Sequence, residues 1–433
     1  MMRTQLKTLA LMTEWVSFLW MALPAKLRPT FLELLTGAIV SQSGHVTKAL
    51  LSIRPIRTWT TYFKAIEKGQ FYWMKLTKQW LALLMSQLGN KELIVAIDDF
   101  ITPRSSLKAP SVGLHHDHAN RMNRPRYLWG QIRVSLAMVG NCGNRHTAFP
   151  LLMHLIRKGG NRTKLHSALL LMRVLMKWVP TKTRVKLLLD CWYMKAPFLL
   201  PIIDQVECII GQVRKDSALY SLPTRQVEKK PGRPRKYGRR LYFETIQCEY
   251  LQQETKLQAY GKKRLFQFYS FKAKVRFLKG HLCRIVWCRF QQDSGKWTKW
   301  HLLICTMPQV PATEIIRLYA LRWWTEPMFN ELKNLFGLQE AWQQTRQALA
   351  RWTMFLSLAY SLPKLLALIL GPVDGAKAFP IPWRKDKPMT SGWMATAMRQ
   401  HFRGLSIGHL WDRKSQKMQM PETNMIPIFA STG

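Results

Sequence analysis

Negative charge is scarce in this sequence: 24 Asp and Glu stand against 66 Lys and Arg in 433 residues, a formal net charge of +42. An excess spread over both halves of the chain repels itself unless a polyanion neutralises it, which makes nucleic acid the default partner. Cysteine supplies no framework either. The seven (Cys142, Cys191, Cys208, Cys248, Cys283, Cys288, Cys305) are odd in number, scattered and never spaced as C-x2-C. That pattern excludes a disulfide scaffold and a structural zinc site, and fits reduced thiols in a cytoplasm, here close to the nucleoid. An uninterrupted membrane-length run is also missing. The longest apolar segment, Trp352 to Leu370, carries Pro363 and Lys364 where the hydrocarbon core would lie, so a buried helix pair is expected and no membrane partner. The N-terminal residues lack the charged region, continuous apolar run and small-residue cleavage site of an export signal. What is abundant is aromatic and apolar: 18 Trp, 19 Phe and 47% hydrophobic residues, enough for a packed core in two to four units.

Periodicity divides the chain. Residues 1 to 90 read as a helical N-terminal DNA-binding region, its helices broken at Pro and Gly; within it Ser41 to Phe63 offers short basic helices around Pro55, either a reader of DNA or an arm packed on the core. From 91 to 214 the pattern is α/β. The strand ELIVAIDD, strand-like runs over Tyr127–Val139 and Thr147–Leu155, an amphipathic helix over Lys164–Trp178, the strand VKLLL before Asp190, a helix over Lys195–Gln205 and a strand over Val206–Val213 follow one another. Residues 215 to 307 read as an inserted β-rich region, with β-type runs at Leu241–Tyr250, Leu265–Phe277, Cys283–Phe290 and Trp297–Cys305. Helical periodicity returns at 308 to 345, starting near Ala312, and the remainder, 346 to 433, is a helical region followed by a weakly patterned tail.

In so basic a chain, acids at the ends of apolar strands call for an explanation. Asp98 and Asp99 end LIVAIDD, and Asp190 ends VKLLLD, where open α/β sheets place their chemistry; the alternative for each is a turn or helix cap. Alternation along a strand sends Asp98 and Asp99 to opposite faces, so one of them can meet Asp190, and Asp99 is the expected partner. The helix from Ala312 adds Tyr319, Arg322, Glu326 and Lys333, whose offsets at about 100° per residue fall within roughly a 60° arc of one helical face.

The spacing Tyr319-x2-Arg322-x3-Glu326-x6-Lys333 resembles the Tyr, Arg, Glu, Lys signature of insertion-sequence family four and its relatives among the DDE transposases. The order of elements from about 92 to 345 is similar to that family as well. The resemblance implies an RNase H-like catalytic core interrupted by a β domain, with Asp99, Asp190 and Glu326 holding two Mg²⁺ ions, Mn²⁺ being a possible substitute. It further implies cut-and-paste transposition: nicking, hairpin formation and strand transfer, carried out by a homodimer on terminal inverted repeats and target DNA. Two hard cations would clamp the attacking and leaving oxygens of each phosphoryl transfer. Relatives often follow the first Asp with Thr, whereas Phe100 follows Asp99 here. Alternatives are a transposase-derived DNA-binding protein without catalysis and an RNase H-like nuclease that does not join strands.

On the same pattern Tyr319, Arg322 and Lys333 would hold phosphates of the double-stranded DNA end, and Arg214, after CIIGQVR, would face the same DNA. Trp300 and Trp323 occupy positions like those that hold a base out of the stack. Lys229 to Lys236 resembles an AT-hook, with Arg233 and Arg235 for a minor groove. The histidines of HHDH (His115, His116, His118) lack the spacing of a helical zinc site, and the nearby Arg121, Arg124 and Arg126 point instead to a basic loop.

Overall fold

The computed structural model describes residues 2–89, 92–116, 125–156, 161–223, 235–378, 390–402, 411–412, 414 and 417–418. Five helices come first: α1 (Met2–Trp20), α2 (Arg28–Ser41), α3 (Val46–Leu51), α4 (Trp59–Lys68) and α5 (Trp73–Leu88). The strands β1 (Glu92–Pro103), β2 (Gly113–His116), β3 (Tyr127–Cys142) and β4 (Arg145–Leu155) follow, then α6 (Asn161–Trp178), β5 (Arg184–Leu189), the single turn α7 (Ala196–Leu199) and β6 (Cys208–Val213). Next are β7 (Leu219–Tyr220), β8 (Arg240–Leu241), α8 (Phe243–Glu249), β9 (Gln253–Ala259), β10 (Lys262–Val275), β11 (His281–Phe290) and β12 (His301–Cys305). The chain closes with α9 (Ala312–Leu321), α10 (Thr325–Asn334), α11 (Arg346–Ala378), α12 (Ser391–Phe402) and a short pair, β13 (Trp411–Asp412) and β14 (Lys417–Met418).

One twelve-stranded sheet organises the molecule, in the order β2-β3-β1-β5-β6-β12-β11-β10-β7-β8, with β4 on β3 and β9 on β10. β1, β5 and β6 are parallel, and β3 is antiparallel to β1. Parallel strands covered on both faces read as continuous apolar runs, as ELIVAI and VKLLL do. One face carries Leu93, Val95, Ile97, Leu187 and Leu189 into the large core with α6; the other carries Ala96, Leu188 and Ile210 against Ile315 and Ile316 of α9.

Several expectations are corrected. The strands of the β-rich stretch 215 to 307 join the central sheet and extend it sideways, because β12 pairs antiparallel with β6. Within it, Phe243–Glu249 is helical rather than extended. Helix 195 to 205 shrinks to one α-helical turn. Trp352 to Leu370 belongs to a single helix rather than a pair: α11 runs through Pro363 and is interrupted at Gly371, whose φ of 74° no helix accommodates. Residues Arg346–Gly371 are long and apolar enough to cross a membrane, yet 78% of the most apolar window is buried in the fold.

The most consequential correction concerns the helix bearing the signature. It is not continuous: α9 ends at Leu321, Arg322–Trp324 forms a 3-10 turn, and α10 begins at Thr325. Pro327 explains the break, because it lacks the N–H that an unbroken ladder needs, while the first turn of a new helix tolerates it. The 3-10 turn overwinds the path between Tyr319 and Glu326, yet Arg322 still lies beside the Tyr319 ring and reaches Glu326 one turn on.

Candidate active site

Register places the acids. Ala96 of β1 lies beside Leu188 of β5, and Leu188 beside Ile210 of β6. Two residues on, the same face carries Asp98, Asp190 and Gln212 across the C-terminal edges of three parallel strands. This is the α9 face. Asp99 takes the opposite face, toward α6 and the turn after β5: its Oδ2 accepts from Lys164 Nζ at 2.7 Å and its Oδ1 from the Tyr193 hydroxyl at 2.9 Å. The residue that meets the signature helices is Asp98. Its Oδ2 lies 3.2 Å from Arg322 Nη1 and 3.4 Å from Thr325 Oγ1, and its Oδ1 accepts the Asp99 N–H at 2.8 Å.

Asp190 caps its own turn, with Oδ1 accepting the N–H groups of Trp192 and Tyr193, both at 3.1 Å. Tyr193 thus bonds Asp190 through its backbone and Asp99 through its phenol, fixing the turn of the second acid to the strand of the first. Glu326 is exposed at the start of α10, and its Oε1 lies 3.5 Å from Arg322 Nη2. Arg322 therefore spans Asp98 and Glu326, while its Nε is buried without a hydrogen-bond partner.

The electrostatics follow from this crowding. Burial, with the charges of Asp190 and Asp99, pushes the Asp98 carboxyl up to about 7 against the pull of Arg322. Burial also raises Asp190, against two backbone N–H bonds and Arg322. Burial opposes the charge of Arg322, yet Tyr319, Asp98, Asp190 and Glu326 around it hold its pKa above the ordinary value. Burial is the main cause for both acids, and the neighbouring carboxylates add to it.

The donor set fits hard divalent cations, being carboxylate oxygen throughout. It does not form a closed cage: among the described residues no three His, Cys, Asp or Glu side chains gather closely enough to hold a metal as they stand. The arginine between Asp98 and Glu326 occupies that part of the site.

The other sequence candidates divide. Tyr319 bonds Gln212 Oε1 at 3.2 Å beside Arg322, and burial pushes its phenol above the ordinary range. Lys333 Nζ lies 5.0 Å over the Phe100 ring, on α10. Arg214 is exposed just beyond β6 and bonds Asp216 through two nitrogens at 2.8 and 3.1 Å. Trp323 lies in the 3-10 turn with its ring 5.4 Å from that of Trp324. Trp300 is not beside Arg322. It packs with Phe243 and Tyr269 under Arg289, and the neighbouring Leu302 and Ile304 join the core on the α6 face. Arg235 is exposed, and Arg233 lies outside the described residues with the rest of 229 to 234; so do His118, Arg121 and Arg124.

Sequence reasoning did not single out Lys164, Tyr193 or Thr325, nor a cleft of about 290 Å³ beside Arg322, lined by Gln212, Tyr260, Phe290, His301 and Tyr319 among others. Burial pushes the Tyr260 phenol there up to about 12. Parity selects between the acids only once the faces are known: counting along β1 from Ala96, which packs against α9, gives Asp98.

A family model described as transposase DDE domain matches residues 142–362, just over half of the chain. The chain belongs to that family. The matched stretch contains Asp190, the signature residues and the β-rich extension, whereas β1 with Asp98 and Asp99 precedes it. A search of curated proteins finds no significant match. Membership makes this transposase an enzyme acting on DNA, of a class that generally uses divalent metals.

Proposed function

We propose that this transposase cuts and joins DNA ends by two-metal phosphoryl transfer, with Asp98 rather than Asp99 as the first carboxylate, followed by Asp190 and Glu326. The observation that carries the reading is the shared row of Asp98 and Asp190 at the edges of adjacent parallel strands, facing Arg322 and the helix of Glu326. The antiparallel strands β4, β3 and β1 continued by parallel β5 and β6 support the RNase H-like reading of the core.

Bound divalent cations would supply Lewis-acid polarisation of the phosphate and a water or 3′-hydroxyl nucleophile of lowered pKa. The chain's own residues do the rest. Asp190 is pre-oriented, one oxygen held by backbone N–H groups and the other left for a ligand. Asp98 and Asp190 gain stability from any added positive charge, as their raised pKa values indicate. Arg322 has an unused Nε–H, and moving its fork off the acids onto a phosphate would satisfy that donor and free Asp98 and Glu326 together. The cleft beside Arg322 has the aromatic lining an unstacked base needs, a role better suited to Tyr260 and Phe290 than to Trp300. Cut-and-paste movement through a hairpin, with a homodimer holding two terminal inverted repeats, remains the reading for the reaction sequence.

A second reading, DNA binding with catalysis lost, draws on the Arg322 bridge and on the lack of a ready-made cluster among the described residues. Cleavage of duplex DNA carrying the element's ends, with and without Mg²⁺, separates them. Metal-dependent nicking lost in Asp98→Asn, Asp190→Ala and Glu326→Ala, with DNA binding kept, is expected. Tight binding with no cleavage by the unaltered protein would favour the second reading, and activity surviving Asp190→Ala would overturn the site.

A further inference from the structure

Away from the acids, one solvent-facing segment stands out. All seven residues from Arg54 to Thr60 (RPIRTWT), spanning the loop after α3 and the first residues of α4, are exposed. Exposed loops are commonly loose, yet this one is held by a carboxyl group placed in the core. Glu33 of α2, 1% exposed, accepts the Ile56 N–H at 2.9 Å with one oxygen and the Tyr62 hydroxyl at 2.8 Å with the other. The same hydroxyl accepts the Arg57 N–H at 3.1 Å. Burying a carboxyl is costly, and here its hydrogen bonds go to the loop's backbone and the phenol beneath it, so their effect is to fix the loop's shape.

What the loop presents is cationic and aromatic. Arg54 joins Lys48, Ser52 and Arg399 around a cleft of about 550 Å³ where α3 approaches α12. On the other side Trp59 and Phe63, 45% and 38% exposed, lie 5.2 Å apart, flanked along α4 by Lys64 and Lys68, with Glu67 as the helix's one acid. Hydroxyls accompany the cations: Ser41 and Ser52 line the cleft, and Thr58 and Thr60 stand at the start of α4. Discrete phosphate oxygens at fixed spacing are what rigid guanidinium groups and hydroxyls recognise, and phosphate contacts set register on a duplex. A membrane surface also attracts cations beside aromatic rings, but gains nothing from a loop whose geometry is fixed.

We propose that residues 54 to 60, with Lys48 and Arg399, form a second docking surface for the phosphate backbone of duplex DNA, separate from the carboxylate site. The inference rests on the reading that the chain acts on DNA, but not on its being catalytically active. The test is binding of the full-length protein to a random-sequence duplex of about 30 base pairs across a salt series, comparing the unaltered chain with the double variant Arg54→Ala/Arg57→Ala. Each lost phosphate contact lowers the slope of log affinity against log salt by about 0.9, so the expected result is a slope reduced by roughly 2 and affinity weaker by roughly tenfold or more. Arg54→Lys/Arg57→Lys keeps the charge and should restore the slope. Both arginines are exposed, so the fold is not at stake. An unchanged slope and affinity would overturn the proposal. So would a lysine pair as defective as the alanine pair, or a double variant that loses binding to anionic phospholipid vesicles while keeping its DNA slope. If the unaltered protein proves inert in cleavage but the slope still drops, the surface stands and the catalytic reading falls.

Discussion

Neighbouring acids on one strand give a paired prediction with opposite signs. Asp98→Asn and Asp99→Asn differ by one position, and the geometry assigns them different work. Asp98 bears a cost in the folded protein: a carboxyl held near 7 rather than at 3.8 binds more protons folded than unfolded, so its contribution is neutral at low pH and becomes destabilising as pH rises from about 4 to about 7. At neutral pH this is on the order of 4 kcal/mol, which Asn relieves apart from the lost attraction to Arg322. Asp98→Asn should therefore melt no lower than the unaltered protein in metal-free buffer, while removing a proposed ligand should slow single-turnover cleavage by ~10³-fold or more, as losing about 4 kcal/mol of transition-state stabilisation does. Asp99→Asn breaks the 2.7 Å ion pair to Lys164, both side chains four-fifths buried, and weakens the bond from Tyr193. Charged hydrogen bonds of this kind contribute about 1.5–3 kcal/mol, so melting should fall by a few degrees and cleavage by roughly tenfold, through a less fixed Asp190 turn. Thermal unfolding and single-turnover cleavage of the two variants in parallel decide the matter. The reverse pattern, with Asp99→Asn inactive and Asp98→Asn active, would refute the face assignment.

Arg322→Lys should keep a positive charge but lose the fork that reaches Asp98 and Glu326 together, lowering single-turnover cleavage by roughly tenfold to a hundredfold; a rate equal to the unaltered protein's would rule out the proposed transfer of the fork to phosphate. Gly337→Ala should destabilise the fold by about 3 kcal/mol or more in denaturant titrations, since a Cβ there would stand 2.0 Å from the Gly44 nitrogen at a φ of +66°; an unchanged midpoint would mean the contact yields freely. The Lys186 ammonium holds the Glu92 carboxylate below its ordinary value of 4.5. Its stabilisation is thus complete above the ordinary carboxylate range and lost as pH falls through the lower folded value. Glu92→Gln should cost about 1 kcal/mol at neutral pH and nothing in strong acid, measured as the gap between two melting curves, and a constant gap would count against the linkage.

Much of this architecture was legible because it rests on period and composition. LIVAI and VKLLL are apolar without interruption because parallel strands covered on both faces allow nothing else, and the Lys164–Trp178 stripe marks α6 because one face meets the sheet. The illegible parts depend on contacts remote in sequence. The β-rich stretch reads as a separate domain until β12 is seen on β6, a pairing no local pattern encodes. Phe243–Glu249 resembles a strand by composition and is held helical by its surroundings. The 3-10 turn inside the signature helix has a cause visible in the sequence: Pro327 stands directly after Glu326 and cannot donate to the Trp323 carbonyl. The acids were found by their place at strand ends, but the choice between Asp98 and Asp99 needed the identity of the two sheet faces, which follows only from where α9 and α6 pack.

The exit of α10 explains how a docking surface near the N-terminus and a carboxylate 270 positions later can act on one DNA end. Glu340 Oε2 accepts from Ser43 Oγ at 2.7 Å and from the Gly44 N–H at 3.1 Å, and the Trp352 indole N–H donates to the Gly44 carbonyl at 2.7 Å. Gly44 and Gly337 are packed so closely that neither has room for a Cβ. Behind them, the buried guanidinium of Arg104 donates to the carbonyls of Gln339 and Ala341 and to Gln131 Oε1, joining the same exit to β1 and β3. Residues 43 to 45 lead directly into α3 and the 54 to 60 loop, so loop, Glu326 helix and Asp98 strand meet at one buried junction. A duplex held at the loop would therefore lie at a set distance from the carboxylates. Loosening the junction should then spread the cleavage positions on a long end without abolishing chemistry. Arg104→Met, which fills the same volume without the three hydrogen bonds, should show that spread as extra bands in a cleavage ladder. A single sharp cut with a merely slower rate would mean that the two surfaces position DNA independently.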